Sequence, residues 1–158
     1  GYGSAAMVKI AQLLDKSELK LQLIFVCGKN AKLKERLEGM KLKMPHFIEG
    51  FTSQVPYYMK LSDFFIGKPG PGSISEAIHL GLPVIVTKNA LTLPQELYNS
   101  DWLVENELGL VLKHFGEIEK GVRKMLEPGV LEKYQKNARK LNNQAVFEIP
   151  EIIAKLLG

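Results

Sequence analysis

Residues 64–86 read FFIGKPGPGSISEAIHLGLPVIV. Two short runs rich in Phe, Ile and Val flank a glycine and proline loop and a short amphipathic segment. The first run, 64–67, has the length and composition of a buried strand, and residues 83–87 share that character. Between them, residues 73–80 carry a helical pattern stopped by Gly81 and Pro83, since glycine just after a helix and proline soon beyond are ordinary stop signals. Strand, loop, helix and strand in so few residues make a parallel βαβ unit: the helix returns the chain to begin a second strand in the same direction.

The alternation continues on both sides. Upstream, residues 4–14 place Met7, Ala11 and Leu14 on one helical face. Residues 21–27 form a nearly continuous apolar run, as expected of a strand buried on both faces. A charged helix is expected over 31–40, a short strand over 46–51, and a helix over 54–61 with Ser53 as its N-cap. Downstream, 94–99 reads as a helix, 110–112 as a strand, 117–126 and 130–141 as helices, and 149–157 as an end helix introduced by Pro150. Repeating βα units with short connections predict one α/β domain over 1–158, a Rossmann-like doubly wound parallel sheet with helices on both faces. The opening GYGSAAM is a glycine turn running into a helix with no strand ahead of it. Such a turn normally follows the central strand, so the sequence is expected either to lack its first strand or to carry residues appended in cloning.

Composition limits the function classes. The chain has 158 residues, 46% of them hydrophobic and 24% charged, which suits a globular domain with one sizeable core. Its longest apolar run is too short to cross a bilayer, and no signal peptide is visible. The single cysteine, Cys27, has no partner for an intramolecular disulfide, which fits a reducing, cytosolic-side environment; it reads as a core residue. The net charge of +4 includes a local concentration at Lys29, Lys32, Lys34, Arg36, Lys41 and Lys43, interrupted by Glu35 and Glu38. That run is either a solvated helix face with charge pairs or a patch for an anionic membrane or a nucleic acid, though nothing resembles a nucleic-acid-reading motif. His46, His79 and His114 lack metal-site spacing, and neither a nucleophile elbow nor a Walker lysine pattern exists.

The loop at 67–73 admits two readings. Parallel α/β sheets bind ligands at the carboxyl ends of their strands, where a loop feeds a helix whose first amides lack partners. Gly70 and Gly72 would let backbone approach a diphosphate, with Ser73 at the start of a helix whose dipole favours the anion. Alternatively, Ser73-Ile74-Ser75-Glu76 is a capping box, with serine and glutamate satisfying the helix end themselves. Past the next strand, Gln95, Glu96 and Asn99 offer the carboxylate and amide groups that read hydroxyl-rich ligands, or simply a polar first helical turn.

Taken in order, these segments resemble the nucleotide-sugar-binding C-terminal half of family 28 GT-B glycosyltransferases, above all monogalactosyldiacylglycerol synthases and related bacterial glycolipid transferases. The carrying residues are GYGS at 1–4, EGF at 49–51, KPGPGSISEA at 68–77, GLPVI at 81–85, PQELYN at 94–99 and VENELG at 104–109. The resemblance implies that Phe51 and its loop lie beside the uracil and that Gly70, Gly72, Ser73 and Ile74 face the diphosphate. It also implies that Glu76 accepts both ribose hydroxyls, that Gln95 and Glu96 grip the donor sugar, and that Gly3 and Ser4 approach the diphosphate from the opposite loop. The implied reaction moves galactose or glucose from a UDP-hexose to a lipid hydroxyl such as that of diacylglycerol, with no cofactor and no metal in this half. The general base and the lipid site would belong to an N-terminal half outside this chain, against which the end helix 149–157 would pack, so no catalytic residue is assigned here. The resemblance places the protein at the cytoplasmic side of a membrane, peripherally bound. A sugar-nucleotide epimerase of the same fold and a free-standing donor-binding subunit of a split transferase are the competing expectations.

Overall fold

The computed structural model describes residues 2–88, 94–141 and 145–157. Its elements follow the expected alternation: α1 (Tyr2–Lys16), β1 (Leu23–Val26), α2 (Ala31–Glu38), β2 (His46–Glu49), α3 (Val55–Lys60), β3 (Phe65–Ile66), α4 (Pro71–His79), β4 (Val84–Thr87), α5 (Pro94–Glu105) and β5 (Gly109–Leu112). A 3-10 turn (Phe115–Glu117) then leads into α6 (Ile118–Met125), α7 (Val130–Lys140) and α8 (Ala145–Leu157).

All strand pairs are parallel, but they form two sheets, β1-β2 and β3-β4-β5. In the larger sheet every residue of β4 is buried, which is why VIVT contains almost nothing polar. Val84 and Val86 face a cluster containing Ile74, Ala77 and Ile78 of α4 and Leu103 of α5. Ile85 points the other way, into a cluster with Ile118, Val122 and Met125 of α6 and with Ile10 and Leu14 of α1. The alternation along one strand thus feeds a core on each face, and each fully buried Leu or Ile side chain contributes roughly 1.5–3 kcal/mol. Helix α1 joins the two sheets: Val8 and Ala11 pack with Phe25, Cys27, Leu33 and Leu37 beside β1, while Ile10 and Leu14 belong to the cluster under β4. Cys27 is a core residue as expected, and burial pushes its thiol pKa up.

Several local expectations are corrected. Helix α4 begins at Pro71, with Gly70 as its extended N-cap and no side-chain cap bond, so the capping box over 73–76 does not form. Proline at the first helical position fixes φ where its missing N–H costs nothing, and it starts the helix two residues early. The N-cap of α3 is Gln54 rather than Ser53, again with proline in the first turn. Helix α5 runs on to Glu105, beyond the expected 94–99. Pro150 lies inside α8 instead of introducing it. The stop of α4 is as read: Gly81 adopts φ +74, and the amide of Leu82 reaches back to the carbonyl of Ala77 at 2.9 Å, satisfying the helix end.

Candidate functional site

Because β3 and β4 run parallel, the loops that follow them open at one edge of the sheet, and the first turns of α4 and α5 lie beside each other there. One hydrogen bond across 30 residues fixes this juxtaposition: Asn99 Nδ2 on α5 donates to the carbonyl of Pro69 at 2.8 Å. Pro69 is buried and cannot donate from its own backbone, so its carbonyl is a natural clamp point. Asn99 therefore positions the glycine loop. Sequence reasoning noted its polarity but missed this role, because the partner is a backbone atom in another loop.

Gly70 and Gly72 of that loop are not demanded by the protein's own conformation. Gly70 has φ −71, and a Cβ there would meet only Ser73 Oγ at 3.7 Å and Glu96 Oε1 at 3.9 Å. A Cβ on Gly72 would meet nothing within 4 Å. Backbone left bare in open space, at a helix N-terminus, suits the close approach of a ligand. Helix geometry leaves the amides of Gly72 and Ser73 without intrahelical partners, since the Ile74 amide is the first to bond back, to the Gly70 carbonyl at 3.2 Å. The side chain of Ile74 is 3% exposed and packs in the core, so it anchors the turn. Ser73 Oγ donates to the Gly70 carbonyl at 3.3 Å instead of capping an amide.

Glu96 brings a half-buried carboxylate against the glycine loop. Glu76 lies one turn beyond Gly72, on the same face of α4 by its i, i+4 spacing. It is exposed, and its carboxylate makes no hydrogen bond or ion pair with any described residue. Lys88, at the end of β4, is tied to Asp101 on α5 and thereby orients the second helix of the pair. Gly3 and Ser4 fall in the first turn of α1, whose register against β1 brings that turn to the same edge of the sheet. Their side chains, like that of Gln95, lie outside the described residues.

Phe51 belongs to a second group, in the loop after β2. It is 72% exposed, and Lys29, from the loop after β1, places its Nζ 5.0 Å from the ring centroid. Beneath it, Glu49 is held at both carboxylate oxygens: Gly50 N–H donates to Oε1 and Tyr58 O–H to Oε2, each at 2.8 Å. The Tyr58 hydrogen bond, then that of Gly50, holds the Glu49 carboxyl below its ordinary value, and the same bond raises Tyr58. A depressed carboxyl stabilises the fold above its unfolded value, and that contribution disappears as pH falls through the folded one. Tyr58→Phe is therefore expected to move Glu49 back up in an NMR pH titration. It should also flatten the acid limb of stability below the ordinary carboxylate range while leaving the neutral plateau parallel to the parent's. Coincident titrations of parent and variant would remove this link. Neither Lys29 nor the Glu49–Tyr58 pair was legible in the sequence, because each contact joins separate loops or elements.

Comparisons with known proteins identify the family and the fold. A family profile described as the glycosyltransferase family 28 C-terminal domain matches residues 4–156. The chain is 36% identical over 138 residues to a probable monogalactosyldiacylglycerol synthase 3, chloroplastic, of Oryza sativa subsp. japonica, covering 85% of this chain and 27% of that protein. It is 35% identical over 139 residues to the chloroplastic monogalactosyldiacylglycerol synthase of Spinacia oleracea, covering 86% and 26%. These shares mean that the chain spans only a minor part of the relatives' length. Among solved structures, Os79 from O. sativa in complex with UDP superposes with a TM-score of 0.64 at 18% identity, over 87% of this chain and 32% of that one. WaaG, a glycosyltransferase involved in lipopolysaccharide biosynthesis, superposes at 0.64 and 16% identity, over 99% and 43%. The fold is the Rossmann-like one of GT-B glycosyltransferase C-terminal domains. With nearly its whole length matched, the chain belongs to glycosyltransferase family 28 and is a C-terminal domain of that family.

Proposed function

We propose that this domain binds the donor of a UDP-sugar-dependent hexosyltransferase that moves galactose or glucose to a lipid hydroxyl such as that of diacylglycerol. The observation that carries the reading is the bare Gly70–Gly72 turn at the start of α4, clamped by Asn99 and flanked by Glu96. In this reading the amides of Gly72 and Ser73 face the diphosphate, Glu76 holds the ribose, and Gln95 and Glu96 hold the sugar. Phe51 stands by the uracil, and Gly3 and Ser4 close on the diphosphate from α1. The acceptor oxygen forms its bond to the anomeric carbon as the bond from that carbon to the β-phosphate oxygen breaks, and UDP carries away the electron pair. Helix-end amides already aimed at that phosphate stabilise the developing charge without reorganising. The proposal places the acceptor, the general base and the lipid contact in a further half of the complete polypeptide, with the exposed Ile149, Ile152 and Ile153 face of α8 turned toward it. It assigns no metal and no cofactor to this half, and places the enzyme peripherally on a membrane, at its cytoplasmic side. Among the described residues no helix is long and apolar enough to cross one.

The test is thermal unfolding of the complete polypeptide with UDP, UDP-galactose, UDP-glucose and UDP-N-acetylglucosamine, with ADP as control. A ligand at a hundred times its Kd adds about 2.7 kcal/mol, enough to raise Tm by several degrees. Silence toward every uridine nucleotide would sink the donor assignment. Glu76→Gln is expected to unfold at the parental temperature, because the carboxylate has no described partner to lose, while UDP binds about tenfold more weakly. Unchanged affinity would take the ribose away from Glu76.

A further inference from the structure

Strand β2 is the outer strand of the smaller sheet: it pairs with β1 along His46–Glu49, and no strand among the described residues meets its other edge. The register shows which groups that edge presents. The Leu23 amide bonds to Pro45 O and the Cys27 amide to Glu49 O, so the backbones of Phe47 and Glu49 bond inward, toward β1. The alternation of a parallel ladder then turns the N–H and C=O groups of His46 and Ile48 outward. Between those two lies Phe47, whose side chain is 49% exposed and rests at a tilt on Tyr58, with ring centroids 5.7 Å apart. Tyr57 meets Tyr58 edge-on at 5.6 Å, and the exposed Leu61 follows one turn later. An apolar stripe therefore runs from α3 to the open edge of the sheet. Natural edges are usually blunted by a charge, a proline or a bulge. Within β2 there is no proline and no bulge, and its one carboxylate, Glu49, is engaged by Gly50 N–H and Tyr58 O–H.

We infer that this edge pairs with the same edge of a second copy of the chain, antiparallel, about a two-fold axis through Phe47. The edge is complementary to itself, because two outward-bonding residues flank one. The axis sets His46 opposite Ile48 of the second copy and Ile48 opposite its His46, each pair exchanging both N–H···O=C bonds. Phe47 then falls opposite Phe47 of the second copy, on one face and in the close, non-hydrogen-bonded position, so the two aromatic stripes join into one. Charge selects the same arrangement. The exposed Lys41 and Lys43 precede the amino end of β2 and Glu49 closes its carboxyl end, so antiparallel copies set each basic end beside the other's carboxylate. The pairing makes one continuous sheet of β1-β2 from both copies, and the carboxyl edges, with their glycine loops, open in opposite directions.

The experiment is sedimentation of the complete polypeptide across a concentration series, for the parent, for Phe47→Glu and, as a similarly exposed control on α5, for Val104→Glu. The parent and Val104→Glu are expected to dimerise with the same Kd. Phe47→Glu sets two carboxylates directly opposite each other and should dimerise at least about a hundredfold more weakly. Amide hydrogen exchange on the parent needs no variant: the amides of His46 and Ile48 should gain protection as concentration rises, while that of Leu23, already bonded to Pro45 O, should not. Phe47→Cys reads the register, because directly opposed Cα atoms about 4.5 Å apart lie within disulfide range. Its copies should join under mild oxidation at least about tenfold faster than those of Val104→Cys. The inference is overturned by a parent that stays monomeric at the highest concentration reached, by Phe47→Glu dimerising like the parent, or by equal cross-linking of the two cysteine variants. It is also overturned by protection of His46 and Ile48 that does not depend on concentration, which would make another part of the same polypeptide the occupant.

Discussion

Gly109→Ala is expected to cost about 3 kcal/mol or more and to leave the domain largely unfolded at 37 °C. Gly109 opens β5 opposite Val84, and a Cβ built on it would stand 1.9 Å from the Val84 carbonyl oxygen and 2.8 Å from Val84 N and C. Those atoms are backbone of the buried β4 strand, so no rotamer change relieves the clash. The strands must separate or β5 must shift, and either movement disturbs the packing of Leu108, Leu103 and Val86 at once. Urea unfolding followed by circular dichroism gives the comparison, with Gly39→Ala as the control. Gly39 sits at φ −73, and a Cβ built on it would meet nothing closer than the Glu35 carbonyl oxygen at 3.4 Å, so its replacement should be near neutral. A Gly109→Ala midpoint equal to that of Gly39→Ala would show that β4 and β5 do not approach as described.

Gly72→Ala is expected to separate binding from folding. The added methyl enters open space at the second position of α4, where alanine narrows the unfolded ensemble relative to glycine, so stability should hold or rise by about 0.4–1 kcal/mol. If the turn lies against a diphosphate, the same methyl stands between ligand and backbone and weakens UDP-sugar binding by at least about tenfold, with kcat/KM falling in step. Calorimetry on the complete polypeptide reads both quantities. A variant that is more stable and binds equally well would mean that the glycine serves no ligand. The contrast between the two glycines is physical: one is required by a strand of the protein itself, the other by nothing within it.

The βαβ unit at 64–86 was legible because its signals are local: an apolar run, a glycine loop, a helical period, then Gly81 and proline. The capping box misled because serine and glutamate at the right spacing are a weaker instruction than proline two residues earlier, which sets φ for the first turn. The extent of α5 was missed because nothing in SDWLVE stops a helix; the stop comes from Glu107 at φ +50 and from the return of the Leu108 amide to Leu103 O. At the candidate site, Gly70, Gly72, Ser73 and Glu96 stood out from their types and positions. Asn99 on Pro69 and Lys29 on Phe51 depend on which loops the fold brings together, and no local pattern encodes them.

The central claim is that the start of α4 holds the donor's diphosphate. The most direct test is a ¹⁵N NMR titration of the complete polypeptide with UDP, following the amides of Gly72 and Ser73 with Gly129, in the left-handed turn before α7, as reference. Large saturable shifts at Gly72 and Ser73, with Gly129 unmoved, are the predicted result; UDP binding that shifts other amides and leaves these two unchanged would contradict it.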